Sequence, residues 1–184
     1  MTTAFNPASL LAVDSATDHA RGPAAARVTV VEYGDFECPS CRQAQSALKI
    51  VLAHFGNDLR FVFRHFPLRE VHPHAEFAAE AAEAASAQHK FWQFHDLLFA
   101  HQLQLDEKHV RQYAQQAGLD MPRFANEMSD HVYLQRVREQ IESGRRLGVR
   151  STPTFYVNGA FCDVSFGLDH LHKVIDKALS DSSQ

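Results

Sequence analysis

An α/β fold carrying a helical insertion is predicted by three observations along the chain. The apolar run Val28 to Tyr33 leads through Cys38-Pro39-Ser40-Cys41 into a helical pattern and then a second apolar run, Leu59 to Phe66. No strand signal of any length occurs between His74 and Gly148, where several helical patterns follow one another. Beyond them come a short strand, a tight turn, a returning strand and a last helix. At 184 residues, 45% of them hydrophobic, the chain can bury one substantial core, so a single domain is expected.

The first segment, Thr2 to Ala26, is rich in Ala, Ser, Thr and Asp and reads as a loose arm (residues 1–26), with any packing supplied by Leu10, Leu11 and Val13. After the strand Val28 to Tyr33, a helix from Arg42 to about His54 carries Ala44, Ala47, Leu48, Val51 and Leu52 at helical spacing and ends at Gly56-Asn57-Asp58. Leu59 to Phe66 is then a second strand, parallel to the first because a helix intervenes. Breaks at His89-Lys90, Gln104 to Asp106 and Gly118 to Pro122 divide the next stretch into four or five helices. Its Ala-rich piece Ala75 to Ala87 permits close packing, and Phe91, Trp92, Phe94, Leu97, Leu98 and Phe99 supply bulk. Thr154 to Val157 and Ala160 to Val164 pair across Asn158-Gly159, a strong hairpin signal, and Leu168 to Leu179 closes the fold. The expected organisation is a scaffold of residues 27–74 and 149–180 interrupted by an all-helical subdomain, 75–148.

Composition narrows the function. The net charge is −4, and Lys and Arg are scattered, so a nucleic-acid partner is not expected. No apolar stretch is long enough to span a bilayer, and Met1 to Arg27 lacks the basic start and apolar run of a secretory signal; no membrane partner and a cytoplasmic location are therefore expected. Three cysteines, two of them in one motif, exclude a structural disulfide framework.

The chemistry centres on Cys38 and Cys41. Two thiols one helical turn apart can close a disulfide or open it. A cysteine at a helix N-terminus also meets unpaired backbone N–H groups and the positive end of the helix dipole, which favour thiolate. Cys38 is the expected nucleophile, the more exposed thiol, with a pKa in the range of about 3.5 to 7.5, and Cys41 the resolving thiol. The competing readings are half of a zinc site or two inert cysteines. Zinc needs two further ligands, and Cys162 offers no partner spacing, so no metal is expected; the twelve histidines are assigned to surface or packing and none to catalysis. Cys162 itself reads as a packing residue.

Three further features bear on the motif. Strand parity places Glu32 on the same face as Val28 and Val30: an acid facing the core there could accept the Cys41 proton, whereas at a strand end it would be solvated. Pro153, preceded by Thr152 and followed by a strand, suits a cis bond in a tight bend or an ordinary trans-Pro at a strand start. Asp35 and Glu37 flank the motif and are expected to shape substrate preference or solubility.

Tyr33-Gly34-Asp35-Phe36-Glu37-Cys38-Pro39-Ser40-Cys41, Phe63-Arg64-His65-Phe66-Pro67-Leu68, His72-Pro73-His74-Ala75 and Gly148-Val149-Arg150-Ser151-Thr152-Pro153-Thr154-Phe155 together resemble the DsbA-like branch of the thioredoxin superfamily, over roughly Asp18 to Leu179. The likeness is greatest to signal-less members of bacterial cytoplasm. It implies a thioredoxin fold with an inserted helical domain and dithiol–disulfide exchange with protein thiols and disulfides, or glutathione, with no cofactor beyond the Cys38–Cys41 pair. It also implies a buried acid at Glu32, a Thr152-Pro153 loop facing the cysteines, and substrate contacts at Pro39, Ser40, Thr152 and Pro153. The strongly oxidising members carry His where this chain has Ser40, so a weaker oxidant is expected, and in a reducing cytoplasm net reduction. The alternative is a non-catalytic redox-sensing module that binds a partner through the thioredoxin-like groove.

Overall fold

The computed structural model describes residues 7–165 and 167–181. Its sheet forms because the valines and phenylalanines of two strands alternate between two buried faces. Strand β2 (Val28–Gly34) runs parallel to β3 (Leu59–His65), with Val28 opposite Leu59 and Gly34 opposite His65. Strand β4 (Thr154–Val157) lies antiparallel on the other side of β2, and β5 (Ala160–Cys162) forms the edge beside β4. Between them Asn158 and Gly159 both adopt positive φ, as the two-residue hairpin requires.

Helix α2 (Pro39–Phe55) connects β2 to β3, with Pro39 in its first turn, where the missing N–H is no loss. It begins three residues before the expected Arg42. Five helices follow: α3 (Ala75–Ser86), α4 (Phe91–Ala100), α5 (Glu107–Gln116), α6 (Met121–Ser129) and α7 (Leu134–Arg146). The break before α7 has neither Gly nor Pro; His131 takes it at positive φ. The last helix, α8 (Asp169–Asp181), packs with α2 on the face of Val28, Val30, Phe61 and Phe155. Helix α7 covers the opposite face, where Val31, Tyr33, Val62 and Tyr156 meet Val137 and Ile141. Gly144 permits that approach: a Cβ there would stand 2.8 Å from the Phe66 ring and 3.0 Å from that of Tyr33.

The N-terminal segment departs from the loose arm expected of it. Residues 1–6 of that arm lie outside the described residues, but the rest contributes a short helix, α1 (Pro7–Leu11), and a fifth strand, β1 (His19–Arg21), antiparallel to β3. A buried ion pair recruits it: the Arg64 guanidinium grips the Asp18 carboxylate through Nε and Nη2, both at 2.8 Å, and also reaches the Ala12 carbonyl, the Leu10 carbonyl and the Tyr33 hydroxyl. The final sheet order is β1-β3-β2-β4-β5.

Candidate active site

Cys38 occupies the N-cap of α2, at the C-terminal end of β2. It is 6% exposed and Cys41, one turn inward, 0%. The Cys38 thiol donates to the Thr152 carbonyl at 3.3 Å, so the loop before β4 sits directly over the helix start. The Cys38 pKa falls to about 5, chiefly through a hydrogen bond from the Cys41 thiol; burial opposes this, and the Thr152 side chain and the N–H groups of Cys41 and Ser40 assist. Thr152 therefore serves both forms: its carbonyl accepts from the thiol, and its buried hydroxyl, with no other partner, is free to donate to the thiolate. Cys41 moves the opposite way, well above an ordinary thiol, through burial, its bond to Cys38 and the negative charge of Glu32. The helix start thus holds one thiolate and one thiol at neutral pH, and the thiolate is lost as pH falls through about 5.

Glu32 is fully buried, on the face that strand parity indicates. Its Oε2 accepts from Gln45 Nε2 at 3.1 Å, while Oε1 has no partner. Burial raises its pKa to about 8; the Gln45 bond draws it down and the Cys38 charge adds to the rise. Because the folded value lies above the usual 4.5, the contribution of this group to stability is full below pH 4.5 and is lost as pH rises toward 8, at about 1.4 kcal/mol per unit. Glu32→Gln is accordingly expected to match the wild type in denaturant unfolding at pH 4 and to exceed it by a margin that grows up to pH 8. A variant whose margin stays flat across that range would show that Glu32 does not titrate inside the fold.

Ser40, Ala44 and Ala47 of α2 face Thr152, Pro153 and Phe161 across a cavity of about 660 Å³. The Thr152–Pro153 peptide bond is cis. Of the four residues expected to touch substrate, Ser40, Thr152 and Pro153 line this cavity; Pro39 is not among its lining residues and instead occupies the first turn of α2. Cys162 also lines it, 2% exposed, with its thiol pushed up by burial.

Asp35 behaves differently from the sequence reading. Its carboxylate turns inward and accepts from the N–H groups of Glu37 and Leu68, both at 2.8 Å, and from His72 Nδ1 at 2.7 Å. It ties the loop after β3 to the cysteine motif in place of facing substrate, with the bond to Glu37 forming an Asx turn. Glu37 likewise accepts from the backbone N–H of His74 at 2.7 Å. Gln45 and Gln102 also touch the site and were not singled out by sequence. Gln45 had a signal, four residues past Cys41 on the same helix face; Gln102, far along the chain, had none.

Three possible metal ligands, His19, His65 and Glu83, meet in the interior within 4.8 Å of one another. Glu83 Oε1 lies 2.8 Å from His19 Nε2 and 3.2 Å from His65 Nε2, and Arg136 Nε lies 2.9 Å from Oε2. Burial alone would raise Glu83, but its histidine contacts hold it well below the carboxylate range. The half-buried Arg136 guanidinium already balances this carboxylate, and a divalent cation would be set beside that positive charge. The cluster reads as a brace joining β1, β3, α3 and α7.

A thioredoxin family model matches residues 14–177. Among curated proteins the chain is 44% identical over 171 residues to a Na(+)/H(+) antiporter NhaA 1 of Salinispora arenicola, covering 93% of this chain and 26% of that protein. The chain spans about a quarter of the length of the curated relatives it matches. No helix among the described residues is long and apolar enough to cross a membrane. Among solved structures, a thioredoxin-like oxidoreductase of Silicibacter pomeroyi superposes with a TM-score of 0.81 at 26% identity, covering 96% of this chain and 99% of that one. Oxidised BdbD of Bacillus subtilis superposes at 0.80 with 23% identity, covering 91% and 95%. The paired cysteines at the start of α2, the Thr152 loop above them and the family match across 14–177 agree: the chain belongs to the thioredoxin family, and its fold, with five inserted helices, is that of the DsbA-like solved structures.

Proposed function

We propose that the protein is a thiol–disulfide oxidoreductase acting through Cys38 and Cys41 on protein disulfides and thiols or on glutathione. The observation that carries this is the split pair at the helix start, a thiolate at Cys38 above a protonated Cys41. The Cys38 thiolate attacks one sulfur of a substrate disulfide, forming a mixed disulfide and expelling one substrate thiolate. With the Cys38 charge consumed in the mixed disulfide, one cause of the raised Glu32 pKa is gone; the ionised Glu32 carboxylate takes the Cys41 proton, and Cys41 attacks Cys38 Sγ. The Cys38–Cys41 bond closes, the second substrate thiolate departs, and two electrons have passed to the substrate; the reverse sequence oxidises a dithiol. Once Cys38 ionises, the Thr152 carbonyl it occupied is released to accept from the backbone of an extended substrate.

A stabilised thiolate favours the reduced pair. At pH 7 a thiol with its pKa near 5 holds the dithiol more firmly than an ordinary one by on the order of 60 mV. Ser40 supplies no positive charge to add to this, which supports a weaker oxidant than the His-bearing members and a working place in a reducing cytoplasm. Equilibration with glutathione buffers, read by alkylation and mass shift, tests the reading. A reversible two-electron transition is expected; a potential as oxidising as that of the His-bearing enzymes would overturn the weaker-oxidant assignment, and failure of the pair to close at any poise would overturn the redox function.

A second reading is a redox-sensing module that binds a partner through the thioredoxin-like groove, in which the pair reports rather than turns over. Cys38→Ser separates the two. An enzyme loses turnover, whereas a sensor keeps its partner in the reduced state.

A further inference from the structure

Gln102 belongs to the inserted helices yet reaches the backbone of the cysteine motif. It lies between α4 and α5, is buried, and its Nε2 donates to the Phe36 carbonyl at 2.8 Å and to the Cys38 carbonyl at 2.7 Å. The loop presenting it is stiff. The His101 N–H bonds to the Leu97 carbonyl, the Gln104 N–H to the His101 carbonyl, and the Tyr113 hydroxyl to the Gln104 carbonyl, while the His101 ring stacks on Tyr113. The Phe36 ring on the far side of the clamp packs against Phe63 and Phe99. The Cys38 carbonyl also accepts the first helical bond of α2, from the Arg42 N–H at 3.2 Å, so Gln102 grips the peptide on which the helix starts.

Resting on the dithiol reading above, we propose that Gln102 is a positioning residue for the Cys38 thiolate, holding the entry to α2 so that the N–H groups of Ser40 and Cys41, the Cys41 thiol and the Thr152 loop converge on Cys38 Sγ. Hydrogen bonds weaken steeply once the donor angle opens, and here several donors must meet one sulfur. One donor amide with two carbonyls keeps them aligned. The inserted helices thereby set the reactivity of the nucleophile as well as walling the site, and a partner that shifted the α4–α5 loop would change the acidity of Cys38 without touching it.

The test uses the full chain with Gln102→Met, close in volume but without a donor, and Gln102→Asn, which keeps the amide one methylene short. The readouts are thiolate absorbance and the rate of Cys38 alkylation against pH. Both variants are expected to titrate about one unit higher, so that alkylation at pH 5 slows about fivefold. Phe124→Leu, in the core of the inserted helices and away from these carbonyls, serves as the control for destabilisation alone and is expected to titrate like the wild type. A folded Gln102 variant with an unmoved midpoint overturns the proposal and leaves the dithiol reading standing, as does a Phe124→Leu midpoint that moves as far as that of Gln102→Met. If the methionine variant does not fold, the asparagine variant decides by the same midpoint. A wild-type pair that never cycles would instead remove the parent function.

Discussion

Cys38→Ser is expected to lower disulfide exchange by more than about 100-fold, because the serine hydroxyl stays un-ionised at neutral pH and cannot replace the thiolate as nucleophile. Cys41→Ser should behave differently. Cys38 keeps its place at the start of α2, with the Ser40 and residue 41 N–H groups still in position, so it attacks substrate but is not displaced afterwards, and mixed disulfides accumulate. The Cys41 thiol is the largest single cause of the low Cys38 pKa, so the surviving thiol should also titrate above 5. Mass spectrometry of the trapped adducts and alkylation against pH check both statements. Equal loss of first-step reactivity in the two variants would remove the assignment of nucleophile and resolving thiol.

Arg64→Met should produce the largest loss of stability, about 3–5 kcal/mol, because it strands the Asp18 carboxylate in the interior rather than deleting a pair cleanly. It also removes the donors to the Ala12 and Leu10 carbonyls and the Tyr33 hydroxyl. Adding Asp18→Leu is expected to recover part of the loss, since the second substitution removes the stranded charge. Urea unfolding of the two single variants and the double variant measures this. Limited proteolysis should find new cleavage between Leu11 and Arg21 in the Arg64 variant. A loss below about 1 kcal/mol would mean that the pair contributes no more than an exposed one.

The legible part of the fold was the part built on periodicity. Strand β2, helix α2 and strand β3 follow from alternating or helical apolar spacing, and the turn at Asn158-Gly159 from its residue types. Strand β1 is three residues, His-Ala-Arg, with no apolar alternation to read; its place is set by Arg64 and Asp18, whose pairing no local pattern records. The same division holds at the site. Cys38 and Cys41 announce themselves by spacing, and the place of Glu32 follows from the parity of its strand. The inward turn of Asp35 depends on the N–H of Leu68 and the ring of His72, and the role of Gln102 on a loop that folding brings back, so neither could be read from neighbours in sequence.

The register of β4 against β2 has a consequence for synthesis. Thr154 lies opposite Tyr33, so the Thr152 carbonyl and hydroxyl come to Cys38 only after the whole helical stretch between them has been made and has closed. On the ribosome, Cys38 emerges long before Thr152 or Gln102 exists. A nascent chain therefore lacks the share of thiolate stabilisation that Thr152 supplies, although the Cys41 thiol and the N–H groups of Ser40 and Cys41 emerge with Cys38. The full acidity of Cys38 is reached only at completion, so the half-made protein carries a less reactive thiol than the finished one.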